Sequence, residues 1–293
     1  MESKKLGLVA FATLLASFVA PSQAGEGIFG WIYTLDLQPQ GKFEFQQHAQ
    51  LNHKQKGDYD NWLLRSELEY GVSNDIQIGG YLNFDYVNAY QNNADNETAG
   101  SDIPEDIDVT QRYKKTRFKS VSMEAIWRIT NPVVDPIGFG IYVEPEIGPL
   151  VKELETRIIV QKNLMDDRLI LASNFVFLVE EDGLATNWKD PERSSHFDLL
   201  LGASYRFASN WSGGFDYRYH NDFAGYFYQS STQHAHFIGP NVHYAGSNWW
   251  GTAALRHQIG GTCHHAGEAE CNDGFVNDDH GRDELIFKVG IPF

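Results

Sequence analysis

The sequence predicts an all-β chain, a transmembrane antiparallel β-barrel of about 12 strands with short turns at one end and longer loops at the other. Three observations carry that expectation. Apolar and polar residues alternate with period two in stretch after stretch. Residues 1–24 have the form of an export signal. The links between alternating stretches are short and long by turns, which a soluble sandwich has no reason to arrange.

Lys4 and Lys5 form a short positive region, Leu6 to Val19 an apolar run, and Ser22-Gln23-Ala24 supplies small residues before a cut. That run is too short and wrongly flanked for a spanning helix, and no later segment is apolar enough to be one. The expected organisation is a signal peptide over 1–24, a periplasmic N-terminal segment over 25–41 and a barrel over 42–293. A formal net charge of -16 argues against nucleic acid as a partner.

Residues 25–41 are glycine-punctuated and aromatic. They read either as an ordinary leader into the first strand or as a strap that packs its aromatics at the barrel mouth. Strands are then expected in order. Lys42 to His53 sets Phe43 and Phe45 against Glu44, Gln46 and His48, and Trp62 to Tyr70 sets Leu64, Leu68 and Tyr70 against Arg65, Glu67 and Glu69. A turn over 71–75 leads into Ile76 to Tyr90, the cleanest alternation in the chain; pairing Glu69 with Gln77 would put Arg65 opposite Tyr81. After a long polar loop come Phe118 to Arg128, Ile137 to Glu146 and Glu153 to Gln161. Arg168 to Glu181 fits worst, because Ile170, Val176 and Leu178 fall on the lumen side, where a plug or an infolded loop would have to cover them. Phe197 to Phe207 and Trp211 to Asn221 form a tight hairpin, followed by His234 to Tyr244, Trp249 to Gln258 and Glu284 to Phe293.

In the last of these, Leu285, Phe287, Val289, Ile291 and Phe293 share one face. It resembles the closing strand of bacterial outer-membrane barrels. The opening Glu26-Gly27-Ile28-Phe29-Gly30, with Tyr33-Thr34, Asp36-Leu37 and Pro39, resembles the mature N-terminus of a family of uncharacterised Gram-negative outer-membrane β-barrel proteins. The resemblance implies the outer membrane of a Gram-negative bacterium as location. It implies outer-membrane lipid and the barrel-assembly machinery as partners, and it brings no catalytic or binding residues. Tyr70, Trp127, Phe207, Trp211, Tyr244 and Trp249 stand beside the short turns, where an interfacial aromatic girdle belongs.

The lumen side is rich in charge. Arg65, Glu67, Glu69, Asp85, Glu124, Glu144, Arg157, Arg206, Asp216, Arg218 and Arg256 are its candidate lining residues. Such a lining suits a narrow passive channel for small polar or charged solutes. It suits equally a closed barrel, stiffened by ion pairs, that acts through its outer loops. Nothing in the pattern speaks to oligomeric state. An enzyme is not expected: the outer-membrane phospholipase pattern needs a serine two residues after a histidine, and after His257 that place holds Ile259. Cys263 and Cys271 share the last long loop and are expected to form a disulfide. His264 and His265 beside them match no metal motif, so neither a metal nor a cofactor is expected.

Overall fold

A computed structural model describes residues 26–53, 57–92, 96–98, 103, 107–182, 184, 191–264, 274–276 and 281–293. Its strands are β1 (Phe43–His53), β2 (Asp58–Ser73), β3 (Ile76–Tyr90), β4 (Tyr113–Thr130), β5 (Gly138–Ile147) and β6 (Lys152–Leu164), then β7 (Leu169–Asp182), β8 (Glu192–Ala208), β9 (Trp211–Ala224), β10 (Ser230–Ala245), β11 (Trp250–Cys263) and β12 (Asp283–Pro292). Each pairs antiparallel with its sequence neighbour, and β12 pairs back onto β1, so the sheet is a closed barrel of twelve strands without an edge. Phe45 lies opposite Ile291 and Leu51 opposite Leu285 along that seam. Phe43 stacks on Phe293 at 5.8 Å where it closes.

Alternation decides which way each residue faces. On β3, Gln77, Asn83, Asp85, Val87 and Ala89 are buried inside, while Ile76, Ile78, Leu82 and Phe84 are exposed outside. The outward face is apolar: Met123 is 65% exposed and Trp127 54% exposed, which is an acceptable surface only against lipid. At the short-turn end the ring of Tyr244 lies 4.9 Å from Trp211 and 5.0 Å from Trp249, a continuous stretch of girdle.

The structure departs from the expected pairing of β2 with β3. Arg65 lies opposite Asn83, Glu67 opposite Tyr81 and Gly71 opposite Gln77. The connection is a tight turn at Asn74-Asp75 with a bulge between Gly71 and Ser73, so the chain continues pairing through residues expected to form the turn. The resulting offset is even, and every side chain keeps its face. Strands also run further than their apolar patterns on the long-loop side. β2 begins at Asp58, β4 at Tyr113, β8 at Glu192 and β10 at Ser230. β11 continues to Cys263, and so includes residues 259–263 that were expected in the loop.

Candidate functional site

Residues 27–38 lie inside the barrel. Between Pro39 and Lys42 the chain reverses, with Gly41 at φ +78° and its N–H donating to Gly71 O at 2.8 Å. From there toward its N-terminus the strap curls along the inner wall of the short-turn half, passing β3, β6, β7, β9 and β11 in turn. An extended segment in a confined lumen needs partners for its own peptide groups. Wall carboxamides supply them. Gln77 Oε1 accepts from Gln38 N at 2.7 Å and Gln161 Oε1 from Leu35 N at 2.6 Å. Asn174 meets both sides of Tyr33, accepting from its N–H at 2.7 Å and donating to its carbonyl at 2.9 Å. Asp216 Oδ2 accepts from Gly30 N at 3.2 Å. Arg128 and Arg157 donate to Leu35 O and Trp31 O, at 2.9 and 3.0 Å.

The strap's apolar side chains fill notches in the same wall. Phe29 and Ile32 pack on Ala172, Val176 and Leu200, with Ile170 alongside. Of the three inward misfits of the sequence pattern, Ile170 and Val176 are therefore a docking surface, while Leu178 is not covered by the strap and lines the cavity at the long-loop end. A Cβ at Gly202 would fall 2.6 Å from Ile32 Cδ1 and 2.7 Å from Phe29 Cε1, so this close approach requires glycine. Leu35 packs in a second cluster with Leu37, Ile126, Tyr142 and Ile159.

Above the strap the inward charges pair with one another. Arg65 bonds Glu144 and lies 4.0 Å from the Tyr81 ring, whose hydroxyl donates to Glu124 Oε2 at 2.5 Å. Arg157 donates to Glu155 Oε1 at 2.5 Å and sits 4.3 Å from the Tyr33 ring. Arg256 donates to Glu284 Oε2 at 2.8 Å and covers Trp31 at 3.7 Å. Glu67, Glu69 and Asp216 are buried, and Glu69 receives Gln46 Nε2 at 2.6 Å. Asp85 is bound by Arg117, whose Nε donates at 2.9 Å. Arg206 keeps the inward parity but stands exposed at the short-turn rim, outside this network. Its position two residues from the Ala208 strand end carries it past the packed lumen. A cavity of about 160 Å3 remains between strap and network, touched by Trp31, Tyr33, Arg65 and Lys288.

At the long-loop end a cavity of about 410 Å3 is lined mostly by β7, β8 and β9, with single residues such as Lys119 of β4 and Glu155 of β6 opposite. Near that end, described residues of two connections pack against the inner wall. Ile103 packs on Tyr59, Val87 and Ala89, and Val276 packs on Ala235 and Phe237 while exchanging two hydrogen bonds with the Gln258 carboxamide, at 2.7 and 2.8 Å. The cavity wall carries a group that sequence reasoning missed. His196 and Asp222 face each other across the β8–β9 ladder, as do Asp198 and His220. Arg218 donates to Asp198 Oδ2 at 2.8 Å and to Glu284 Oε1 at 3.3 Å.

The remaining candidates lie elsewhere. His257 faces outward, its Nδ1 2.6 Å from Asp283 Oδ1, and Ile259 is 55% exposed on the same face. Cys263 ends β11, and Cys271, like His265, lies outside the described residues.

No curated protein matches the chain. Among solved structures it is similar to an outer membrane channel from Pseudomonas putida F1, at 8% identity and TM-score 0.56, covering 87% of this chain and 97% of that one. It is also similar to the NanC porin, at 9% identity and TM-score 0.49 over 86% and 98% of the two chains. A third is the translocator domain of the autotransporter NalP from Neisseria meningitidis, at 10% identity and TM-score 0.45 over 88% and 90%. The fold is that of outer-membrane β-barrels. Residues 21–293 match the model of a family described only as a family of unknown function, DUF6662, and the chain belongs to that family.

Proposed function

We propose that this protein is an outer-membrane barrel of a Gram-negative bacterium whose lumen is closed on the periplasmic side by its own N-terminal strap. In this reading the short turns are periplasmic and the polar cavity at the long-loop end opens toward the cell exterior. The single observation that carries it is the built seat of residues 27–38. Their peptide groups are bonded to Gln77, Gln161, Asn174 and Asp216, and their apolar side chains fill wall notches. A passive passage for small polar or charged solutes is the second reading, favoured by the charged and hydrogen-bonding walls above the strap. It would require the strap to leave its seat. No catalytic step is assigned.

Planar-bilayer recordings of the chain recovered from washed outer membranes separate the two. The whole mature chain is expected to be electrically silent. Deleting residues 25–38 should produce discrete conductance steps, and Leu35→Asp, which leaves the chain length intact, should give intermittent ones. Equal conductance in the intact and deleted chains would overturn the plug. Recovery of the folded chain as a soluble periplasmic protein would overturn the location.

The same reading places Cys263 and Cys271 on the oxidising exterior side, in one intramolecular disulfide. Unreduced protein treated with a thiol-alkylating reagent is expected to show no added mass. Two adducts on freshly prepared protein would refute the bond.

A further inference from the structure

We propose that His196, His220 and Asp222 form a binding site for a divalent transition-metal ion of the zinc type on the wall of the long-loop cavity. Three donor atoms converge there. Asp222 Oδ1 faces His196 Nδ1 and lies 2.5 Å from His220 Nε2, and one donor from each of the three residues falls within 4.8 Å of the other two. The two imidazole rings are stacked, with centroids 5.6 Å apart, so their inner nitrogens open toward the same place.

What distinguishes this group from a chance cluster is the outer partner of each donor. His196 uses its other nitrogen, Nε2, toward Glu180 Oε1 at 2.6 Å. His220 uses Nδ1 toward Asp198 Oδ1 at 2.5 Å, and Arg218 Nη2 lies 2.7 Å from the same nitrogen while bonding the other oxygen of Asp198. The second oxygen of Asp222 accepts from Gln233 Nε2 at 2.7 Å. A carboxylate behind each histidine fixes the ring and directs the other nitrogen inward, which is the second-shell arrangement that metal-binding imidazoles use. Two imidazoles and one carboxylate are donors suited to zinc, cobalt, nickel or copper rather than to calcium or magnesium. Three protein ligands leave a further position, and here that position would face the cavity of about 410 Å3. With metal–ligand bonds of roughly 2.0–2.1 Å, neighbouring donors would sit roughly 3.3 Å apart, so Asp222 Oδ1 would withdraw slightly from the two rings.

Charge favours a cation. Glu180, Asp198 and Asp222 bring three carboxylates, against which Arg218 beside Asp198 sets one guanidinium that it also shares with Glu284. Two further cations line the cavity, and both are held by other carboxylates: Lys119 by Glu146 at 3.5 Å and Arg193 by Glu181 at 3.4 Å. The site does not depend on whether the strap closes the barrel, so its test is separate from the conductance experiment.

Untagged full-length mature protein in detergent, treated with a chelator and then titrated with cobalt(II), provides the test. One equivalent should bind with visible absorption bands of a four- or five-coordinate ion, and zinc should displace it. His220→Asn and Asp222→Asn are each expected to weaken binding at least tenfold, and Glu180→Gln by roughly 10–100-fold through its outer-shell role. Each variant should still run as a heat-modifiable folded barrel, which separates lost ligation from lost structure. His234 and His264, 3.0 Å apart on the exterior, are the competing site, and His234→Asn should leave the titration unchanged. Absence of saturable cobalt uptake, unaltered binding in a His196→Asn, His220→Asn double variant, or loss of binding in His234→Asn would each overturn the proposal.

Discussion

Replacing Trp250 by alanine is expected to destabilise the folded barrel by about 3–5 kcal/mol, the range for removing a large aromatic from a packed interior. Trp250 is 2% exposed and stands where strap, β11 and β12 meet. Its six-membered ring lies against Gly27, where a Cβ would fall 2.3 Å away, and its indole nitrogen lies 2.2 Å from the place a Cβ would take on Gly290. Those two glycines are the slots that let the indole lie between strap and wall. Its Nε1 donates to Glu44 Oε1 at 2.9 Å, so truncation also removes a donor from a fully buried carboxylate. Trp249, the preceding residue, is the control: it faces outward at 48% exposure and should cost less than half as much when truncated. Urea unfolding of both variants in lipid vesicles would measure the difference. A Trp250→Ala loss below about 1 kcal/mol would mean the junction is not a packed core.

The strands were legible because lipid and lumen impose opposite demands on successive residues. Where both demands act, as along β3 from Ile76 to Tyr86, alternation is strict and the inner face follows from it. Above the membrane the outward side meets water, so the demand for apolar residues ends while the ladder continues. Lys114, Lys115 and Thr116 on β4 are exposed polar residues that look like loop and are strand. The β3–β4 register shifts between Asn83 and Phe84, and the bulge brings Arg117 inward to Asp85 although strict alternation from Val121 would turn it out. Bulges of this kind leave no mark in composition.

The candidate site was legible only in part. Inward charge was visible, and so was the anomaly of Ile170 and Val176. The strap that resolves the anomaly has no periodicity to read, since its partners are wall carboxamides and glycine notches scattered over five strands. His196 and Asp222 escaped for a simpler reason. The apolar patterns stop at Phe197 and Asn221, and one more residue at each end places His196 with Asp198, and Asp222 with His220, on the lumen face. The signal was polar residues continuing the parity of a strand whose apolar partners had run out.

Breaking the Arg256–Glu284 pair is expected to cost about 3–5 kcal/mol, because removing one partner leaves a charge buried without its counter-ion. Both side chains are 3% exposed. Glu284 Oε2 accepts from Arg256 Nε at 2.8 Å, and its other oxygen accepts from Arg218 at 3.3 Å, so this one carboxylate ties β12 to β11 and β9. In Glu284→Leu, Arg218 keeps Asp198, while Arg256 is left over the Trp31 ring. Cation–π contact there contributes on the order of 2 kcal/mol when desolvated, less than the lost pair. The discriminating variant removes both charges. If the single-variant loss comes from the stranded guanidinium, Arg256→Leu with Glu284→Leu should recover most of it, as buried pairs replaced by apolar residues commonly do. Recovery should be incomplete, because the strap loses the cation above Trp31 and Arg218 loses its second carboxylate. Unfolding midpoints of the two single variants and the double in the same vesicles form a closed cycle, and because the double should recover most of a single loss, the coupling between the sites is expected to be at least as large as one such loss, about 3–5 kcal/mol. Strict additivity would show instead that each residue acts through separate contacts, and the pair would no longer account for the closure of β12 onto β11.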